Sequence, residues 1–349
     1  MHAIALRTNA AAHQKNRNRQ PTGMPEEHFT QAEATRHTPE ENSVSATPPH
    51  TLEAPPRRPT EDGTPKAPPC TPAQAAQHLP EAQAARVRAF PRGLEQPHGA
   101  YRFGLDALLL AAWTADCLPR QTSAGVPVAE LGTGCGAAAI GVALLRPDVH
   151  VCALEKEQPL AEAARANCAA LGLADRIAVL REDLAEKDVL YAAGCGHFAA
   201  VLANPPWRTA QEGRPSPAFL RRQALSCTAH PKGGHGPQQH AAANTDAALT
   251  FALAARALLT HHGRYCCIFA AAGLPRLLAA LAAARLGLRR LRFVHTLADR
   301  PAHAVLLEAR KDARDDPRVE PPLLLHTDTH AAQAKEYTAQ ARAFCPWLG

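Results

Sequence analysis

The sequence predicts an α/β protein, a doubly wound and mostly parallel sheet behind a disordered N-terminal tail. Three observations carry that reading. From about residue 96, short apolar runs alternate with segments of helical periodicity. A glycine turn, "AELGTGCGA" (129–137), joins the first apolar run to a helical segment. Further on, "FAAVLANPPW" (198–207) drives an apolar run straight into two prolines. In sheets of this class ligands bind beyond the carboxyl ends of the strands, where both of the last two features fall.

The tail comes first. From Met1 to Arg88 the chain is rich in Pro, Thr, Gln, Glu and Ala, with almost no aromatic residues. Such a segment cannot bury enough apolar surface to offset its chain entropy. Residues 1–88 are therefore expected to be a disordered Pro-rich tail and 89–349 the folded domain. Met24 also leaves open a start inside this tail. The N-terminus lacks the apolar core of a signal peptide, and no stretch is long enough to span a bilayer, so a cytoplasmic protein without membrane contact is expected. The ten cysteines make no C-x-x-C pair, which fits reduced thiols in that compartment. A net charge of +6 and a pI of 8.9 suit a polyanionic partner without identifying one.

The folded part reads element by element. Leu105, Leu108, Leu109 and Ala112 recur at helical spacing, so a helix starts near Asp106. "VPVAEL" is a strand and "GAAAIGVALL" the helix after the glycine turn. "VHVCALE" is a second strand, followed by the helix "QPLAEAARANCAALGL", closed by Gly172. "RIAVLRED" and "FAAVLA" are further strands. A polar span runs from Trp207 to about Asn244. After it come the helix "DAALTFALAARALLT", the strand "GRYCCIFAA" and the helix "LPRLLAALAAARLG". "LRRLRFVHTL" and "AHAVLLEAR" form a closing antiparallel pair. The last segment places Tyr337, Ala341, Phe344 and Leu348 on one face of a helix docked on the core.

Gly132, Gly134 and Gly136 remove side chains where the chain turns, letting backbone N–H groups approach a ligand at a helix N-terminus. Read through Ala137 the pattern also fits the loose dinucleotide fingerprint. Glu155 closes the next strand, where a carboxylate can take both hydroxyls of a ribose. Asp183 follows the third strand, where it could accept from an adenine amino group. NAD and S-adenosylmethionine share those groups, so the turn does not choose between them. The fourth strand end does. The Asn204 side-chain carbonyl and the Pro205 backbone carbonyl, held by two fixed φ angles, can grip both hydrogens of an exocyclic NH2. Its lone pair is then aimed at an electrophile, and positioning supplies most of the catalysis. Trp207 would stack on the flat group carrying the amine.

These residues resemble the class I S-adenosylmethionine-dependent methyltransferases of the amino-methylating branch, whose motif is Asn-Pro-Pro-aromatic. "YRFGLDALLLAAW", "NPPW" followed by "RRQALS", and "PAHAVLLEAR" extend the likeness, over Gln96 to Gly349, to the bacterial tRNA1(Val) (adenine(37)-N6)-methyltransferases. The resemblance implies a Rossmann-like seven-stranded sheet, S-adenosyl-L-methionine as cofactor, and the anticodon loop of a tRNA as partner. Oligomerisation beyond a weak dimer and a metal are not expected. By the same resemblance Glu130, Gly132, Thr133, Gly134 and Gly136 form the cofactor loop, Glu155 holds the ribose and Asp183 meets the cofactor adenine. Asn204, Pro205, Pro206 and Trp207 grip the target base, with Asn204 also touching the cofactor. Tyr101, Arg102, Phe103 and Asp106 line its methionine end. Two positions depart from the family: Leu105 stands where Thr or Ser is usual, and Trp207 where Tyr is frequent.

The polar span carries Arg208, Arg214, Arg221, Arg222 and Lys232, suited to phosphate contacts. Its Cys227, His230, His235 and His240 match no standard zinc spacing. Other readings stay open: a glutamine side-chain amide as acceptor, as in release-factor modification, guanine-N2 methylation of ribosomal RNA, or a catalytically silent RNA-binding module.

Overall fold

The computed structural model describes residues 71, 74, 77, 80–100, 102–119, 125–186, 193–207, 246–327 and 336–349. Tyr101 and the expected basic span from 208 lie outside the described residues, as do its cysteine and histidines.

Helix α1 (Glu81–Ala89) precedes α2 (Leu105–Cys117), then strands and helices alternate. These are β1 (Val126–Leu131), α3 (Ala137–Leu145), β2 (Val149–Glu155), α4 (Gln158–Ala170), β3 (Ile177–Arg181) and β4 (Phe198–Ala203). They are followed by α5 (Ala247–Leu258), β5 (Leu259–Ala270), α6 (Leu274–Ala283), β6 (Leu286–His295) and β7 (Ala302–Lys311). Two-residue strands β8 (Arg318–Val319) and β9 (Leu323–Leu324) and the short helix α7 (Ala339–Phe344) close the chain. The seven longer strands lie in the order β3-β2-β1-β4-β5-β7-β6, with β8 and β9 both pairing with β6. From β3 to β5 every pair is parallel, whereas β7 runs antiparallel between β5 and β6.

Both faces of the sheet are covered, which is why its central strands read as unbroken apolar runs. On one face Val128, Ala200, Leu202, Cys266, Ile268, Ala304 and Leu306 pack against α2 and α3. The alternate positions Ala129, Leu131, Val201, Ala203, Cys267, Phe269, Val305 and Leu307 pack against α5 and α6. Burial also follows strand position, with β7 lying between β5 and β6 and β6 bordered only by the short β8 and β9. β7 is buried along both faces, while β6 carries Arg289, Arg290 and Arg292.

Two expectations need correction. The tail was expected to reach residue 88, yet α1 begins at Glu81 and buries Ala84 and Val87 in the main core. Its apolar side chains are small, so composition hides it. The C-terminal face is not one helix. Thr338 accepts from the Ala341 N–H and starts α7 after Tyr337, which instead bridges His326, and Pro346 moves Leu348 into a separate 3-10 turn.

The α2–α3 contact is close because of one glycine. A Cβ at Gly141 would stand 2.7 Å from the Ala111 Cβ and 3.1 Å from the Trp347 ring. Helix propensity alone favours alanine there by about 1 kcal/mol. Overpacking a core costs about 1–3 kcal/mol and prevails here, because neither an Ala Cβ nor a packed indole yields easily. Gly141→Ala is therefore expected to lower the thermal midpoint, measured by calorimetry; a rise would show that the two helices separate at little cost.

Candidate cofactor and acceptor site

The register fixes the site. Leu131, the last residue of β1, pairs with Leu154 on one side and Ala203 on the other. The glycine turn (from Gly132), Glu155 and Asn204 therefore leave the same sheet edge side by side. Asp183 follows two residues after β3 on that edge.

The turn needs its glycines for different reasons. Gly132, Gly134 and Gly136 all have positive φ, a backbone region costly for side-chain-bearing residues. Gly132 also lies under the Phe251 ring, which a Cβ would approach to 3.3 Å. A Cβ at Gly136 would meet Ala164 at 3.4 Å. Around Gly134 nothing lies within 4 Å of such an atom, so the turn is open at its middle glycine. That opening is a cradle a side chain would fill, and it fits a ligand laid against the backbone there.

The acidic residues hold distinct positions. Glu155 is buried, and its two oxygens accept from the Gly134 N–H at 2.8 Å and the Glu157 N–H at 3.0 Å. Burial raises its pKa, and those two bonds offset part of the rise. Asp183 is exposed and accepts from the Ala185 N–H at 3.0 Å. Glu130 sits beneath the turn, 4% exposed, and accepts from the Thr133 hydroxyl and from the Ala139 N–H at 2.9 Å. Its contacts are with the turn and the first turn of α3, so it braces the loop. Thr133 is buried and donates its N–H to the Leu154 carbonyl at 3.0 Å.

On the acceptor side, Asn204 and Pro206 are half-buried and Pro205 is buried. The Trp207 indole donates to Asn204 Oδ1 at 3.0 Å. The Trp207 carbonyl accepts from Arg276 Nη2 at 2.7 Å. Its ring meets the His303 ring edge-on at 5.3 Å, and His303 Nε2 lies 3.9 Å from Asp106 Oδ1. Burial raises the Asp106 pKa and the neighbouring His303 lowers it in part. Phe103, two residues before α2, packs against the core, and Arg102 is exposed. Arg276 and His303 escaped sequence reasoning. They arrive from α6 and β7, and no local pattern marks either. Among the described residues no cluster of His, Cys, Asp or Glu could hold a metal ion, and no helix is long and apolar enough to cross a membrane.

Glu130 gives the turn a pH dependence. Burial raises its pKa to about 8, against the opposing bonds from Thr133 and Ala139 and with a further push from Glu155. The folded state then keeps a proton that the unfolded chain has lost above about 4.5. Stability is complete below that pH and declines as pH rises through about 8, by on the order of 5 kcal/mol. Glu130→Gln is expected to flatten this slope in urea titrations run from pH 5 to 8.5; an unchanged slope would assign it to other groups.

Comparison with known proteins gives this edge a context. Residues 111–220 match the model of the family described as methyltransferase small domain. A tRNA1(Val) (adenine(37)-N6)-methyltransferase of Porphyromonas gingivalis is 31% identical over 116 residues, 33% of this chain and 44% of that protein. The release factor glutamine methyltransferase of Escherichia coli is 26% identical over 129 residues, 36% of this chain and 44% of that protein. The chain thus spans under half the length of these curated relatives. Among solved structures, one described as a predicted O-methyltransferase from Agrobacterium tumefaciens aligns with TM-score 0.49 at 22% identity, covering 69% of this chain and 97% of that one. The methyl donor implied by the matched family is S-adenosylmethionine. Residues 111–220 thus match a methyltransferase small domain, and they lie in the doubly wound, mostly parallel sheet expected from the sequence, of order β3-β2-β1-β4-β5-β7-β6 with an antiparallel β7.

Proposed function

We propose that the protein transfers a methyl group from S-adenosylmethionine to the exocyclic N6 of an adenine in tRNA, at position 37 beside the anticodon of tRNA1(Val). One observation carries the reading: Asn204 leaves β4 directly after Ala203, whose register partner Leu131 leads into the open glycine turn. An amine held at residue 204 therefore lies next to a donor cradled at residue 134. The bound donor supplies an electrophilic methyl on a sulfonium. The chain's own groups do the positioning. Gly134 leaves its backbone accessible, and Glu155 is placed to accept from ribose hydroxyls once its present backbone partners yield. Asp183 stands where an adenine amino group would reach, and Phe103 and Asp106 close the methionine end. The Asn204 and Pro205 carbonyls take the two N–H bonds of the target amine, while Pro205 and Pro206 keep those oxygens from turning away. An adenine in an anticodon loop is already partly unpaired, which reduces the cost of drawing it into the site. The relative from Porphyromonas gingivalis supports this acceptor.

A second reading has its own support in the release factor glutamine methyltransferase relative. A glutamine amide presents the same NH2 on a flat carbonyl group.

Incubation with labelled donor, bulk tRNA and a release factor separates the two. Label in N6-methyladenosine after nucleoside digestion is expected; label in protein alone would overturn the RNA reading. Asn204→Ala is expected to leave donor affinity unchanged by calorimetry and to reduce methyl transfer by about 10²–10³-fold, the scale of losing one preorganised group at a reacting centre. Undiminished turnover would remove Asn204 from the mechanism.

A further inference from the structure

The acceptor oxygen assigned above to the target amine already has a donor. Trp207 Nε1 lies 3.0 Å from Asn204 Oδ1, the geometry of an ordinary N–H···O bond. The indole is held in that pose from two other directions. Arg276 binds the Trp207 carbonyl at 2.7 Å and places its guanidinium over the Phe269 ring, 5.1 Å from the centroid. His303 meets the indole edge-on at 5.3 Å and faces Asp106 at 3.9 Å. The contact thus joins β4 to groups from α2, α6 and β7.

We propose that Trp207 gates the acceptor oxygen through its N–H, occupying Asn204 Oδ1 until an exocyclic amine displaces it, so that entry into the reactive pose is an exchange of donors at that atom. The inference rests on the methyl-transfer reading and adds a step before chemistry. Target binding exchanges one hydrogen bond for another at Asn204 Oδ1. The amine's N–H therefore adds little net affinity, because an acceptor that gives up one donor to gain another gains little. Selection falls instead on ligands that do two things at once: offer a flat face to the displaced indole and an N–H to the vacated oxygen. A flat group without an amine leaves the indole bond intact and stays out of the reactive pose. A methylated product retains one N–H where the substrate had two, so it competes less well for the paired carbonyls. The indole then regains Asn204 and favours release. A Phe or Tyr ring at position 207 could stack but carries no indole N–H, so the device is specific to the tryptophan in this chain.

The test has two independent arms. In the first, the full chain is labelled with 15N at its three tryptophan indoles, and Trp207→Phe assigns the resonance of Trp207. Asn204→Ala should shift that resonance in the ligand-free protein while leaving those of Trp113 and Trp347 in place, which also reports that the variant folds. An unmoved Trp207 resonance would overturn the proposal. In the second arm, two RNA hairpins are compared by equilibrium binding in the presence of S-adenosylhomocysteine. One carries an unpaired adenine and the other a purine lacking the amine. The wild type should bind them almost equally. Trp207→Phe should prefer the adenine by about two- to tenfold more than the wild type does, the range of one net hydrogen bond. Any loss of stacking affects both RNAs and cancels in the ratio. An unchanged ratio would overturn the proposal. Failure of the wild type to bind either RNA would overturn the tRNA reading, whereas the first arm would still decide the indole contact.

Discussion

The site depends on a single constraint, the alignment of strand ends around Leu131. Parallel pairing with Leu154 and Ala203 sets three chain exits level, so groups distant in sequence share one edge. The sharp turn after β1 exists because three glycines take positive φ there. The rigid exit from β4 exists because two prolines follow Asn204. A slip of one residue along β1–β4 would turn every side chain of β4 to the other face and lift residue 204 away from the turn. The packing of both faces opposes such a slip. Ala200 and Leu202 belong to one core layer and Val201 and Ala203 to the other, so neither set could exchange layers without breaking its contacts.

The electrostatics of the edge follow from that burial. Glu130, Glu155 and Asp106 all have pKa values raised by loss of water, and among the described residues Lys156, beside Glu155, offers a partial opposing charge. Glu155 and Glu130 are held by backbone N–H groups and the Thr133 hydroxyl, and Asp106 by the neighbouring imidazole. Such a lining disfavours a further anion and accommodates a cation, which would pull these groups toward their charged forms. A sulfonium-bearing donor is a ligand of that sign. Glu130 and Glu155 thus brace the backbone turn, while Asp106 faces His303.

Much of this was legible in the sequence, and the reasons are specific. β1, β2 and β4 were readable because strands covered on both faces are continuously apolar. The turn was readable because glycine alone tolerates its dihedral angles, and the Asn-Pro-Pro-Trp exit because two prolines cannot continue a strand. What could not be read depends on contacts between distant segments. α1 was missed since Ala84 and Val87 are too small to announce a buried face. Tyr337 was assigned to a helix because periodicity ignores its pairing with His326. Arg276 and His303 reach Trp207 because α6 and β7 begin beside it. The role of Glu130 was blurred for the same reason. Its place in the motif suggested a ligand contact, and its bonds to Thr133 and Ala139 add a bracing role that the motif does not show.

The Trp207 contact shows how one residue can be read correctly by type and incompletely by function. A large ring after two prolines argues for stacking, and nothing in that argument depends on the indole nitrogen. The structure gives the nitrogen a partner, Asn204 Oδ1, the atom to which the proposed function assigns the target amine. Closing an acceptor with an internal donor keeps a half-buried carbonyl hydrogen-bonded in the absence of substrate, which removes the penalty of an unpaired polar group. The same contact leaves Asn204 Oδ1 with little affinity to gain from a new donor. On the proposed reading, a ligand replaces what the indole provides, and an exocyclic amine on a flat ring can do so while presenting its lone pair to the neighbouring turn.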